Sequence, residues 1–202
     1  MSGGLELSRR RFLQVLAGTA GALVVGIGCA DAADVPVPAG MLGEDFGQLG
    51  AYVRIDRDGN VLIGARDPDT GTGTATALPR IVAEELDADW TRVTVVPLGL
   101  GVQNKNGKPA WTYGHQRGGT GDSSPAAWAD LRQAGALARW LLTQAAARRL
   151  GIAADRLRCE AGVVIAPDGR RVPYGSLVEA AGKIEPPSAP LPLKSPQRYM
   201  LV

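Results

Sequence analysis

Two short runs, Tyr52-Val53-Arg54-Ile55 and Val61-Leu62-Ile63, flank Asp58-Gly59. Apolar residues every second position put one face of a strand into a core, and Asp-Gly favours the tight turn between strands. The segment predicts a β-hairpin. Leu78, Ile81, Val82 and Leu86 then fall at helical spacing, and Pro79 sits where a missing N–H costs little. They predict a helix over 74–87. The run 91–96 (Thr-Arg-Val-Thr-Val-Val) is rich in β-branched residues and predicts a strand. Residues 97–123 show no period and read as a long loop. Leu131, Ala134, Ala138, Leu141 and Ala145 line one face of a second helix over 124–150, closed by Arg148, Arg149 and Gly151. Val163-Val164-Ile165 and Arg171-Val172 flank Pro167-Asp168-Gly169, a second hairpin, and Ser176 with Glu179 suggests a capping box opening a short helix to 181. From Glu185 onward, Pro186, Pro187, Pro190, Pro192 and Pro196 forbid helix and interior strand. The order predicts an α+β fold: a two-layer β-β-α-β-α unit with a small mixed sheet, a closing hairpin and a short helix.

The head of the chain follows a different pattern. Ser8-Arg9-Arg10-Arg11-Phe12-Leu13-Gln14 fits the twin-arginine export consensus, and residues 12–30 carry no charge. Glycines 18, 21, 26 and 28 keep that stretch only mildly apolar, which suits an export leader better than a membrane span. Ala30-Asp31-Ala32 offers a small-x-small cleavage site. The expected layout is a leader over 1–32, a linker over 33–50, a domain over 51–183 and a Pro-rich connector over 184–202. The expected location is the periplasm, with an uncleaved membrane anchor as the alternative. Folded passengers of that pathway often carry a redox cofactor.

Composition narrows the chemistry. Of 202 residues, 45% are apolar and 21% charged, so most of the chain should fold. A net charge of +2 gives no support to nucleic-acid binding. One His and two Cys exclude the common zinc clusters and a disulfide scaffold. His115 has no visible Ser or Asp partner, and Cys159 no visible base, so neither supports nucleophilic catalysis. Glu84 and Glu85 are adjacent on the first helix, so they should point to different faces rather than form a carboxylate pair. Trp90, Trp111, Trp128 and Trp140 are spaced irregularly and read as core or interface anchors.

Two glycine-rich turns remain. Gly71-Thr72-Gly73-Thr74-Ala75-Thr76 enters the first helix, and Arg117-Gly118-Gly119-Thr120-Gly121 leads to the second. Backbone N–H groups at a helix start attract anions. The first turn lacks the third glycine of a dinucleotide fingerprint, so on residues alone a helix entry explains it better.

Taken together, the hairpin Val53 to Val61, the Gly71-Thr72-Gly73 turn and the helix Leu78-Pro79-Arg80-Ile81-Val82-Ala83-Glu84-Glu85-Leu86-Asp87-Ala88-Asp89-Trp90 resemble the N-terminal region of one family. These are the molybdopterin-binding large subunits of the xanthine dehydrogenase family, of the exported isoquinoline 1-oxidoreductase β-subunit and aldehyde dehydrogenase type. Leu131-Arg132-Gln133-Ala134-Gly135-Ala136, Gly162-Val163-Val164 and Tyr174-Gly175-Ser176-Leu177 extend the resemblance over nearly the whole chain. It implies part of a molybdenum hydroxylase, which oxidises an aldehyde or an N-heterocycle with oxygen taken from water. The implied cofactor is molybdopterin in the complete enzyme, held firmly by no residue of this chain alone. The implied partners are the remaining domains of the large subunit, a 2Fe-2S small subunit, a cytochrome c acceptor and the twin-arginine translocase. Gly71, Thr72, Gly73, Gly118 and Gly119 are the expected contacts to the cofactor or the catalytic core. No catalytic or metal-binding residue is expected, because the family's catalytic glutamate lies in a later domain. Thr72 stands where many members have Gln, a residue with both a donor and an acceptor to offer a pterin. The alternative is an exported, non-catalytic binding or assembly module, or a decayed gene fragment.

Overall fold

The structure is a computed structural model that describes residues 14–17, 23–26, 51–65, 69–97, 102–105, 108–111 and 123–200. Its main sheet has five strands in chain order: β1 (Gln14–Ala17), β2 (Leu23–Gly26), β3 (Ala51–Ile55), β4 (Val61–Ala65) and β5 (Val93–Pro97). The first four are antiparallel neighbours, and β5 runs parallel to β4. A parallel neighbour needs a crossover, which α1 (Thr74–Leu86) supplies. The mixed sheet, the hairpin around Gly59 and the first helix therefore fall where the pattern predicts them. In the hairpin turn, Asp56 Oδ1 accepts from the N–H groups of Asp58 and Asn60 at 3.0 and 2.9 Å. The expected start of β5 is instead a 3-10 turn, Trp90–Arg92, capped by Asp89.

Leu23, Val25, Val53, Ile55, Val61 and Ile63 alternate along β2, β3 and β4, and all are buried. Leu78, Val82 and Leu86 of α1 join them in one core with Leu131, Leu137, Leu141 and Leu142 of α2 (Ser123–Leu150). The two helices cross closely at Gly135. A Cβ there would sit 2.5 Å from the Val82 carbonyl oxygen and 2.8 Å from Glu85 Cβ, so only glycine permits this approach. Between β5 and α2, β6 (Val102–Lys105) and β7 (Lys108–Trp111) pair as a separate antiparallel hairpin.

A third sheet closes the unit: β8 (Arg158–Glu160), β9 (Val163–Ile165) and β10 (Arg171–Pro173), ordered β10-β9-β8 and antiparallel. It is tied to the end of α1, where Asp87 takes a left-handed conformation with φ 56°. Gly162 N–H donates to the Asp87 carbonyl at 2.8 Å, and the buried Tyr174 hydroxyl donates to the Leu86 carbonyl at 2.8 Å. α3 (Val178–Ala181) follows a 3-10 turn over Tyr174–Leu177.

The structure differs from the pattern in several places. The residues read as an export leader include β1 and β2, and Leu23 and Val25 lie in the core. Leu23-Val24-Val25 is both uncharged, as a leader requires, and β-prone, as a strand requires. The stretch read as a long loop contains the β6–β7 hairpin. β8 has no forewarning in the sequence, because Arg158-Cys159-Glu160 lacks apolar alternation. The capping box does not form: Ser176 Oγ donates to the Pro173 carbonyl, and Glu179 pairs with Arg57 and Lys183. Trp128 is 38% exposed, whereas Trp90 and Trp140 pack at the margin of the core.

Candidate functional site

The glycine turn sits at the entrance of α1. Gly71 and Gly73 have φ of 87° and 74°, and Gly73 is the residue at which the helix begins. Asp69 Oδ1 accepts from Gly71 N–H at 2.8 Å and shapes the turn. Thr76 and Ala77 N–H both point to the Gly73 carbonyl. The first turn of α1 carries no acid, and its N-cap Gly73 supplies no side-chain cap, so backbone N–H groups mark the start of the helix. Among the described residues a Cβ on Gly71 or Gly73 would meet nothing within 4 Å. The hydroxyls of Thr72 and Thr74 lie 3.3 Å apart at that surface. This donor set fits one edge of a large anionic group. It does not enclose one, because residues 70–73 are exposed among the described residues. Gly118, Gly119 and His115 lie outside the described residues.

The most concentrated chemistry lies at the other end of α1, and no sequence argument points to it. Glu84 and Glu85 are both buried, and both reach the Pro-rich segment. Lys194 Nζ donates to Glu84 Oε1 at 2.9 Å and to the Glu84 carbonyl at 2.7 Å, and it lies 2.5 Å from Asp87 Oδ1. Glu84 Oε2 accepts from Met200 N–H at 2.9 Å. Glu85 accepts from Arg132 Nε at 2.7 Å and from Lys194 N–H at 3.1 Å. Arg139 pairs with Asp87 at 3.3 Å and approaches Glu85 at 3.8 Å. Arg132 also donates to the Lys194 carbonyl and stacks over the Tyr199 ring, 5.5 Å from its centroid. Gln133 completes the clasp, its amide donating to the Leu191 carbonyl and accepting from Leu191 N–H, each at 3.0 Å. Among the described residues three carboxylates (Glu84, Glu85 and Asp87) face three cations (Lys194, Arg132 and Arg139). Although adjacent on the helix, the two carboxylates both meet Lys194, Glu84 at the lysine side chain and Glu85 at the lysine backbone N–H. The Pro-rich segment forms a strap fixed across α1 and α2.

Beside the strap lies an open groove of about 540 Å³, lined by Asp87, Arg139, Trp140, Thr143, Cys159 and Leu191 among others. The Cys159 thiol contacts Thr143 Oγ1 at 3.3 Å, and burial pushes its pKa up. A raised thiol is a poor nucleophile, so Cys159 serves as a packed residue. Among the described residues no group of three or more His, Cys, Asp or Glu side chains could hold a metal ion.

Comparison with known proteins settles the family. The molybdopterin cofactor-binding domain family matches residues 9–199. The chain belongs to that family. It is 41% identical over 181 residues to the beta subunit of isoquinoline 1-oxidoreductase from Brevundimonas diminuta, an alignment covering 86% of this chain and 22% of that protein. It is 34% identical over 155 residues to one subunit of the nicotinate dehydrogenase of Pseudomonas putida, covering 77% of this chain and 12% of that protein. Among solved structures, quinoline 2-oxidoreductase from Pseudomonas putida 86 superposes on 63% of this chain and 15% of its own, with 21% identity and a TM-score of 0.47. The chain thus spans less than a quarter of the length of these relatives. The resemblance to the molybdopterin-binding subunits of the xanthine dehydrogenase family is shown.

Proposed function

We propose that this chain forms part of the large subunit of a periplasmic molybdenum hydroxylase and supplies a wall of its cofactor site rather than its catalytic groups. The observation that carries the reading is the uncapped start of α1, with two left-handed glycines, no described atom within 4 Å of a Cβ on either, and no acid in the first turn. In that role the N–H groups at the very start of α1 and the Thr72 hydroxyl hold an anionic edge of molybdopterin. The strap and the close crossing at Gly135 hold α1 still, so the turn is presented at a fixed angle. When bound in the complete enzyme, the cofactor supplies the metal chemistry that places a water-derived oxygen on an aldehyde or N-heterocycle carbon. Relatives named for isoquinoline and nicotinate oxidation support the heterocycle class. The role requires the other domains of the subunit, a 2Fe-2S small subunit and an acceptor such as a cytochrome c. The twin-arginine consensus at Arg9-Arg10 supports export by that translocase.

The test is Gly73→Val in the complete enzyme. A β-branched residue at φ 74° is strained and adds bulk at the turn. Molybdopterin retention should fall with subunit assembly intact. Unchanged cofactor content and unchanged kcat and KM would place the cofactor elsewhere. A second reading, a non-catalytic assembly module, draws on the buried Glu84 and Glu85 both bonding the strap. It predicts that the chain joins its partner subunits while Gly73→Val changes neither cofactor content nor turnover.

A further inference from the structure

β2 fills a slot along β3 that its own sequence makes ambiguous. Leu23 pairs with Ile55, Val24 with Arg54 and Val25 with Val53, antiparallel, before the register shifts at Gly26. Leu23 and Val25 have no exposed surface, and β2 touches α2 and α3. The family match begins at residue 9 and so includes β1 and β2. Yet these residues belong to the uncharged stretch that follows Arg9-Arg10, the stretch that the export reading assigns to the translocase. One segment cannot lie in the core and in a translocase at once. We propose that β2 is a latch: docked on β3 it withholds the export segment, and export requires its release. The proposal rests on the export reading above.

Two consequences follow from the geometry. The fraction of chains with β2 undocked sets the apparent affinity for the translocase. Release also leaves β3 as an unpaired edge with two vacated core positions, so the exported form is less stable than the latched form.

The experiment uses the full chain with Cys29→Ala and Cys159→Ala, into which Val24→Cys and Arg54→Cys are introduced. These two positions are cross-strand partners. Transport into inverted membrane vesicles carrying the twin-arginine translocase is followed for oxidised and reduced protein. The oxidised chain should be transported at least about tenfold less, with reduction restoring transport. In the purified full chain, the amides of residues 23–26 should exchange far more slowly than open chain. Separately, residues 1–32 fused to an unrelated folded reporter should direct its export. A reporter that stays behind overturns the export reading and the latch with it. An exported reporter, with equal transport of oxidised and reduced chain, overturns the latch alone. So does a cysteine pair that fails to oxidise while amides 23–26 exchange at open-chain rates.

Discussion

Lys194→Met is the sharpest perturbation of the buried cluster. The lysine side chain is 3% exposed and Glu84 is 2% exposed, so the pair is screened very little by water. Methionine keeps the length of the stem and removes the charge. It leaves one Glu84 oxygen bonded to Met200 N–H and strips the lysine from the other, while Asp87 retains Arg139. Breaking a buried pair from one side costs about 3–5 kcal/mol. For a chain of this size each kcal/mol moves the melting temperature by about 2–4 °C, so a fall of roughly 10 °C is expected. Because Lys194 lies on the strap, the chain has a cheaper escape: the strap can peel away and let water reach Glu84. The loss in global stability is then capped by the docking energy of the strap, and the Lys194 and Met200 amides, both held by carboxylates of α1, exchange faster before the core does. Urea unfolding followed by circular dichroism reads the global term, and hydrogen exchange reads the local one. Replacing both partners, Glu84→Met with Lys194→Met, should recover most of the loss, since a well-packed apolar pair often matches a buried ionic one. The reasoning is refuted if Lys194→Met is as stable as the parent and its strap amides exchange no faster, or if the double variant is worse than either single one.

Other outcomes are expected elsewhere. Gly135→Ala should destabilise by about 1–3 kcal/mol in urea unfolding despite alanine's better helix propensity, because its Cβ would overlap the Val82 carbonyl; a neutral result would mean that the helices can part freely. Tyr174→Phe removes the donor to the buried Leu86 carbonyl and should cost about 1–3 kcal/mol, checked the same way. Stability should fall on the alkaline side. Burial raises the Cys159 thiol from its usual 9.0 and the Tyr174 phenol well above 10.0. Both groups are protonated in the folded chain while the unfolded chain gives up its protons first. Their contribution is therefore full below pH 9 and declines above it, by up to about 1.4 kcal/mol per pH unit per group. Cys159→Ala should flatten the part of that decline that begins near pH 9 in unfolding curves taken between pH 8 and pH 11.

Local pattern carries the parts of this fold that local pattern can specify. The periodicity of Leu78 to Leu86 marks α1 within a residue at each end, and the Asp58-Gly59 and Asp168-Gly169 turns mark their hairpins. The hairpin β6–β7 reads as loop, although Asn106-Gly107 stands between its strands in the sequence and Asn-Gly is a strong turn former. Its strands, Val-Gln-Asn-Lys and Lys-Pro-Ala-Trp, lack the β-branched alternation that draws attention to a strand. β1 and β2 were obscured for a different reason: an apolar, uncharged segment satisfies both an export pattern and a core strand. The ionic strap could not be read at all. Lys194 meets Glu84 across 110 residues of chain, and nothing local to either residue announces the other. The glycine turn was visible as a candidate from residues 71–73 alone, but its exposure and its missing cap required the fold.

The central claim is that the chain contributes to a molybdopterin site only together with other domains. Molybdenum and pterin content, measured on the chain purified alone and on the same chain recovered with its partner polypeptides, tests this most directly. The account predicts no stoichiometric metal or pterin on the isolated chain and one cofactor per assembled complex. A full complement of molybdenum on the chain alone, or a complete complex with none, would contradict it.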